Sequence, residues 1–310
     1  MQHLSMDRYL PDLKKISLDV WDHPVFRENQ LRVEILRLDK IHPEISGNKW
    51  FKLKYYLEKA IRANKRNLVS FGGAYSNHLL ALAAIAKLNG LNSTGIIRGE
   101  EPPVYSPTLS SAIAFGMKLQ FLSRSLFDLK KKSASIYETD DNESDSLWIP
   151  EGGASYEGIR GAEEILSEIS YSAYSHICCA VGTGVTLAGL INSSDPHQIK
   201  IGVSVLKGTR GLEPMQMSWI KNPSAIERVQ MIHDSHFGGY ARKTNSLVDF
   251  MNRIYTESGI PTDFVYTGKL FHSIIRIAAE KAFLSGSRIL VLHTGGLQGN
   301  RSFAPGVLQF

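Results

Sequence analysis

Cysteine is scarce: the 310 residues hold two, Cys178 and Cys179, side by side. Adjacent cysteines cannot bridge distant parts of one chain, which excludes a disulfide framework within it. No metal-ligand spacing accompanies them, so no metal is expected. They sit in His176-Ile-Cys-Cys-Ala-Val181, a run that reads as a buried strand with the thiols as small core groups. No apolar run approaches the length of a membrane span. Met1 to Lys15 lacks the uninterrupted apolar stretch of a signal peptide, so a cytoplasmic location without a membrane partner is expected. Dense Lys/Arg blocks interleaved with aromatics are missing too, and the net charge of +5 is mild, which argues against a nucleic-acid partner.

What remains is an ordinary balance, 43% hydrophobic and 21% charged residues, in a length that allows one large domain or two modest ones. Short apolar runs read as strands: Val33 to Leu38, Leu68 to Phe71, Thr94 to Ile97, Lys118 to Leu122, His176 to Val181, Ile199 to Ser204 and Ser287 to His293. Between them, Trp50 to Ala63, His78 to Leu88, Ser246 to Ser258 and Gly268 to Phe283 space their apolar residues as helices do. Alternation of this kind predicts an α/β fold with parallel-rich sheets, flanked by helices, and a ligand crevice at the carboxyl ends of the strands. The acidic stretch Glu138 to Ser146 has no apolar residue and reads as a solvated loop between two sheets.

Four segments carry candidate chemistry. Ser46-Gly-Asn-Lys49 is a turn that opens a helix, so Lys49 stands at a helix start, where dipole and amides disfavour a cation. A lysine with a lowered pKa can form imines and act as a base, and Lys52 shares its helix face. Phe71-Gly-Gly-Ala-Tyr-Ser-Asn-His78 joins a strand to a helix, with Ser76 and Asn77 as cap residues whose amides suit a carboxylate. In Val181-Gly-Thr-Gly-Val-Thr186, a glycine-rich turn opens a helix and offers amides and the hydroxyls of Thr183 and Thr186 to a monophosphate. It lacks the Gly-Lys-Ser/Thr ending of a P-loop. Tyr266, before a helix, and Thr294, after the last strong strand, complete the set.

In order and spacing these segments resemble the fold type II pyridoxal-5′-phosphate (PLP) enzymes, which are tryptophan synthase β-like. The branch is that of D-cysteine desulfhydrase and 1-aminocyclopropane-1-carboxylate (ACC) deaminase, and the likeness runs from about Leu38 to Gly296. The resemblance implies PLP as cofactor and Lys49 as its Schiff-base lysine. It implies Lys52 near the phosphate, Asn77 near the phenolic oxygen, and Gly182, Thr183, Gly184, Val185 and Thr186 as the phosphate cup. Ser76, Asn77 and His78 would orient the substrate carboxylate, and Lys49, Ser76 and Tyr266 would be the catalytic residues. Thr267 and Thr294 would lie near the pyridine nitrogen, where the resemblance places glutamate and leucine in ACC deaminases. A hydroxyl there deepens the electron sink less than a carboxylate does, which favours elimination of thiol from D-cysteine over opening of the cyclopropane ring. Phe51, Leu79, Leu80 and Val185 depart from the family pattern.

The expectation is therefore a PLP-dependent carbon–sulfur lyase or deaminase of small amino acids, working as a homodimer. A small domain would span 51–149, and a large PLP-binding domain would combine 1–50 with 150–310. The alternatives are ACC deamination or another amino-acid lyase reaction, a non-catalytic PLP-binding protein, and a nucleotide-binding oxidoreductase.

Overall fold

Short strands that are apolar on both faces must be covered by helices on both sides, and the computed structural model is built that way. It describes residues 10–137, 145–208 and 217–310, with backbone alone at 133–137. The regular elements are β1 (Leu18–Val20), α1 (Pro24–Glu28), β2 (Arg32–Arg37), α2 (Asn48–Arg62), β3 (Asn67–Gly72), α3 (Asn77–Leu88) and β4 (Asn92–Arg98). Next come α4 (Pro107–Ala114), β5 (Met117–Leu122), α5 (Arg124–Tyr137), β6 (Ser146–Ile149), α6 (Tyr156–Glu163), β7 (His176–Val181) and α7 (Val185–Ser193). The chain then runs through β8 (Ile199–Ser204), β9 (Val229–Ile232), α8 (Asn245–Ser258), α9 (Thr267–Ala279) and β10 (Arg288–His293).

The strands form two sheets, in the orders β1-β2-β10-β7-β8-β9 and β5-β4-β3-β6. Every pair is parallel except β1 with β2. The predicted α/β class with parallel-rich sheets is therefore the fold. We propose that the two sheets centre the two domains, 51–149 and 1–50 with 150–310.

Side chains alternate across the larger sheet with a period of two. On β10, Ile289 and Val291 face a core shared with α8 and α9, whereas Leu290 and Leu292 face a core shared with α6 and α7. The same alternation sends Cys178 to one face of β7 and Cys179 to the other. Both are free and buried, and burial pushes both thiols up, Cys179 to about 12. The smaller sheet packs α2, α3 and α4 on one side and Phe127 of α5 on the other. Phe51 lies in the core of the larger sheet, and Leu79 and Leu80 lie in that of the smaller. These departures from the family pattern are core packing.

Strands β1, β6 and β9 and helices α1, α4, α5 and α6 carry signals too short or too mixed to be read from the sequence. Of the acidic stretch expected as a solvated loop, 138–144 lies outside the described residues, and Ser146 already begins β6. Residues 1–9 of the N-terminal stretch also lie outside them.

A buried ionic network braces the carboxyl ends of β2 and β10. Arg37, 7% exposed, donates to Asp39 at 2.8 and 2.7 Å and to Asp19 at 2.8 Å. On its other side, Asp39 meets His293 Nδ1 at 3.1 Å. Burial alone would raise the Asp39 pKa, but His293 and Arg37 outweigh it and hold the carboxylate below its usual range. Just past this brace, the turn before α2 packs on the loop after β10: Gly47 has φ +64°, and a Cβ there would lie 1.9 Å from the Thr294 carbonyl oxygen. Gly47→Ala is therefore expected to cost about 2–3 kcal/mol or more, from overpacking and a left-handed backbone together. Thermal denaturation should show a Tm lowered by several degrees, and a wild-type Tm would contradict this packing.

Candidate active site

A cavity of about 570 Å³ opens between the two sheets, within the usual size of small-molecule sites. Its wall includes residues that follow parallel strands within two positions: Gly73 after β3, Glu151 after β6, Gly182 after β7 and Thr294 after β10. Arg98, the last residue of β4, adds to the rim. Parallel strands point their carboxyl ends the same way, so their turns converge on one crevice.

Lys49 is the second residue of α2, as its Gly-Asn turn predicts. Its Nζ donates to Asn48 Oδ1 at 2.6 Å and lies 5.5 Å from the centre of the Tyr266 ring. Burial lowers its pKa to about 8, against the opposing field of Asp263. The helix start contributes position, while loss of water is the main cause of the shift. Lys52, 7% exposed, is depressed well below the ordinary lysine value by burial and then by Lys49.

The second wall is the start of α3. Ser76 caps it, accepting from Leu79 N at 3.3 Å, and Asn77 and His78 are its first two residues. Burial, with Lys49 and Lys52 close by, lowers the His78 pKa to about 3, so its ring is neutral. Ser70 Oγ donates to the Ile149 carbonyl at 2.8 Å, so the 2.9 Å contact with His78 Nε2 is an N–H donated to Ser70. That leaves an acceptor lone pair on His78 Nδ1, which cannot bind a carboxylate. The third wall is the turn Gly182-Thr183-Gly184, with Gly184 in the left-handed region at φ +85° as the N-cap of α7. Asn48 Nδ2 donates to Thr186 Oγ1 at 2.7 Å, tying this turn to the lysine turn.

Lys49, Lys52, Ser76, Asn77, His78, Gly182, Thr183, Gly184, Thr186, Tyr266 and Thr294 all line the cavity. Val185 and Thr267 do not. The Val185 side chain is buried in the core beneath α7. Thr267 is fully buried, and its hydroxyl donates to Asp263 Oδ1 at 2.8 Å and accepts from Asp263 N at 2.7 Å. The expected Thr267–Thr294 pair is thus reduced in the cavity to Thr294, because a carboxylate behind the wall takes the other hydroxyl.

Sequence reasoning missed Asn48, Asp263 and Tyr240. Asp263 also accepts the backbone N–H groups of Val265, Tyr266 and Thr267 at 2.8 to 3.0 Å, and so sets the turn that presents Tyr266. The motif Asp-Phe-Val-Tyr-Thr, an acid four residues before a threonine at a helix start, was the available signal. The Tyr240 and Tyr266 rings meet edge to face with centres 6.1 Å apart; burial raises both hydroxyls, Tyr240 to about 12, so both stay protonated.

The lining fits a phosphate-bearing aldehyde. It offers two buried amines, a helix N-terminus with two hydroxyls, and polar atoms of Asn77 and His78 Nδ1 that are buried with no hydrogen-bond partner in the protein. Such a site defines a lysine-anchored PLP enzyme. The chain belongs to the family of pyridoxal-phosphate dependent enzymes, whose pattern matches residues 16–295. It is similar to the solved structure of an ACC deaminase homologue, at 26% identity and a TM-score of 0.76 over 96% of this chain and 97% of that one. It is also similar to the mitochondrial bifunctional D-cysteine desulfhydrase/ACC deaminase of Arabidopsis thaliana, 26% identical over 87% of this chain and 74% of the relative. The D-cysteine desulfhydrase of Salmonella paratyphi A is likewise 26% identical, over 88% of this chain and 89% of the relative.

PLP added to cofactor-free protein should be captured by Lys49 only when its amine is neutral. With a pKa of about 8, the capture rate should climb roughly tenfold per pH unit below pH 8 and level off above it. Borohydride reduction followed by peptide mapping should find the cofactor on Lys49. Label on Lys52 would contradict the assignment. Thr186→Val, which removes a hydroxyl tied to Asn48, should weaken PLP affinity by about ten- to a hundredfold in a titration.

Proposed function

We propose that the chain is a PLP-dependent lyase of small amino acids that eliminates thiol from D-cysteine or a close relative. Bound PLP supplies the conjugated ring that takes up the electron pair left when the α-proton departs. Lys49 anchors the cofactor and then removes that proton. Its pKa near 8 keeps roughly a tenth of it neutral even at pH 7, and Asn48 Oδ1 aims the amine. The amides at the start of α3, with Ser76 and Asn77, hold the substrate carboxylate, and the His78 ring orients neighbours as an acceptor. Lys52 and the turn from Gly182 to Thr186 hold the phosphate.

Tyr266, kept protonated by burial, donates its proton to the sulfur as the Cβ–S bond breaks. One D-cysteine and one water then give pyruvate, ammonia and hydrogen sulfide. The same proposal has the chain acting as a homodimer in the cytoplasm, with no nucleic-acid or membrane partner. No helix among the described residues is long and apolar enough to cross a membrane.

The observation that carries the choice of reaction is the acid content of the wall. Its single carboxylate among the described residues is Glu151, ion-paired to Lys131 at 2.9 Å, whereas the loop after β10 presents the hydroxyl of Thr294. A hydroxyl near the pyridine nitrogen gives a weaker electron sink, sufficient when the leaving group is a thiolate. ACC deamination is the second reading, supported by the names of the ACC deaminase homologue and of the Arabidopsis relative.

The test is sulfide and pyruvate release from D-cysteine beside 2-oxobutanoate release from ACC. D-Cysteine should be the faster substrate, and faster turnover of ACC would reverse the order of the two readings. Tyr266→Phe should lower kcat by about a hundredfold or more, as loss of a general acid does.

A further inference from the structure

We propose that Lys269 is a positioning residue of this active site, holding through the Gly239 carbonyl the loop that carries Tyr240 into the cavity. The proposal rests on the active-site reading above and adds a residue that sequence order alone does not bring to it.

Helix α9 and the residue that precedes it present Tyr266, Lys269, His272 and Arg276 at intervals of three and four, one stripe of a helix. Residues 234–240 run along that stripe in the opposite direction. Arg276 Nη2 donates to Asp234 Oδ1 at 2.8 Å. The Phe237 and His272 rings meet edge to face with centres 4.8 Å apart. Lys269 Nζ donates to the Gly239 carbonyl at 2.8 Å, and the Tyr240 and Tyr266 rings meet edge to face with centres 6.1 Å apart.

This loop needs an anchor. Phe237, Gly238, Gly239 and Ala241 have φ of +48°, +87°, +119° and +53°, so four residues lie in the left-handed region and two of them are not glycine. Such a backbone persists where its surroundings over-determine it. The Arg276–Asp234 pair is too exposed to do this, with side chains 31% and 68% accessible. Lys269, by contrast, is fully buried. Burial lowers its pKa to about 8, against the field of Asp263. A methionine would fill the same space with no charge to desolvate. What the amine adds is a charge-assisted bond to the loop one residue before Tyr240. Lys269 does not itself line the cavity, whereas Tyr240 does.

The experiment is Lys269→Met in the full PLP-loaded chain, read first by hydrogen exchange without substrate. Amides bonded inside the loop are the reporters: Gly238 N to His236 Nδ1 at 3.1 Å, Gly239 N to the His236 carbonyl at 3.0 Å and Arg242 N to the Gly239 carbonyl at 3.4 Å. Their exchange should quicken on the order of tenfold, the loss of one charge-assisted bond, with β7 and β10 unchanged. This arm needs no turnover, so it stands or falls separately from the choice of substrate. With substrate, Lys269→Met should lower kcat at unchanged PLP affinity, and its loss should not add to that of Tyr240→Phe. Gly239→Ala strains the same loop at φ +119°, where the added Cβ would meet Lys207 Cβ at 3.5 Å, and should lower kcat in the same way. Unchanged exchange in the loop, additive losses, or a Gly239→Ala enzyme of full kcat would each overturn the proposal.

Discussion

Two amines one helical turn apart, Lys49 and Lys52, are shut into one wall of a cavity with little opposing charge, and much of the structure follows from that. Burial depresses both, and Lys49 adds repulsion at Lys52. The opposing fields are those of Asp263 on Lys49 and Cys179 on Lys52, and the Cys179 thiol is itself pushed up to about 12. A site so poor in anions favours an anionic guest, and it leaves Lys49 partly neutral at ordinary pH. Burial, helped by the same two cations, keeps His78 neutral, which leaves its Nδ1 an acceptor.

Holding that arrangement falls to acids kept one layer behind the wall. Asp39 locks Arg37 and His293 together under the turns that carry Lys49 and Thr294. Asp263 gathers three backbone N–H groups and the Thr267 hydroxyl, and so shapes the turn of Tyr266. Placed in the cavity, either carboxylate would neutralise the lysines. Placed behind it, each organises backbone while the wall stays cationic. The α9 stripe extends the principle outward, since one helix face secures both tyrosines.

Membership of the PLP family rests on a match along nearly the whole chain, and the relatives' names divide between two substrates. Phe51, Leu79 and Leu80, which depart from the family pattern, lie in the two cores and not in the cavity wall. What separates the proposed readings chemically is a wall that carries the hydroxyl of Thr294 and, among the described residues, Glu151 as its one carboxylate.

The fold class was legible because period-two apolar runs separated by period-3.6 runs admit few other packings. Strands β7 and β8 were read to the residue, since β7 is apolar from Ile177 to Val181 and β8 alternates Ile199, Ile201 and Val203 with Lys200, Gly202 and Ser204. The one-turn helix α1, with its cap at His23, and the three-residue strand β1 were not, since neither repeats a period. Lys49, the Ser76 cap and the glycine-rich turn before α7 were legible for a local reason: each is a turn–helix signal written in consecutive residues. Thr267 was misplaced and Asp263 overlooked because a hydroxyl's direction depends on what it bonds to, and that bond lies inside the fold. Tyr240 was invisible for a further reason, since its loop reaches the cavity only by lying along a helix that follows it in the chain. Local turn chemistry, then, was determined by the sequence. Which polar groups face the cavity, and which are spent bracing it, was decided by long-range packing, where one buried carboxylate chooses among several nearby donors.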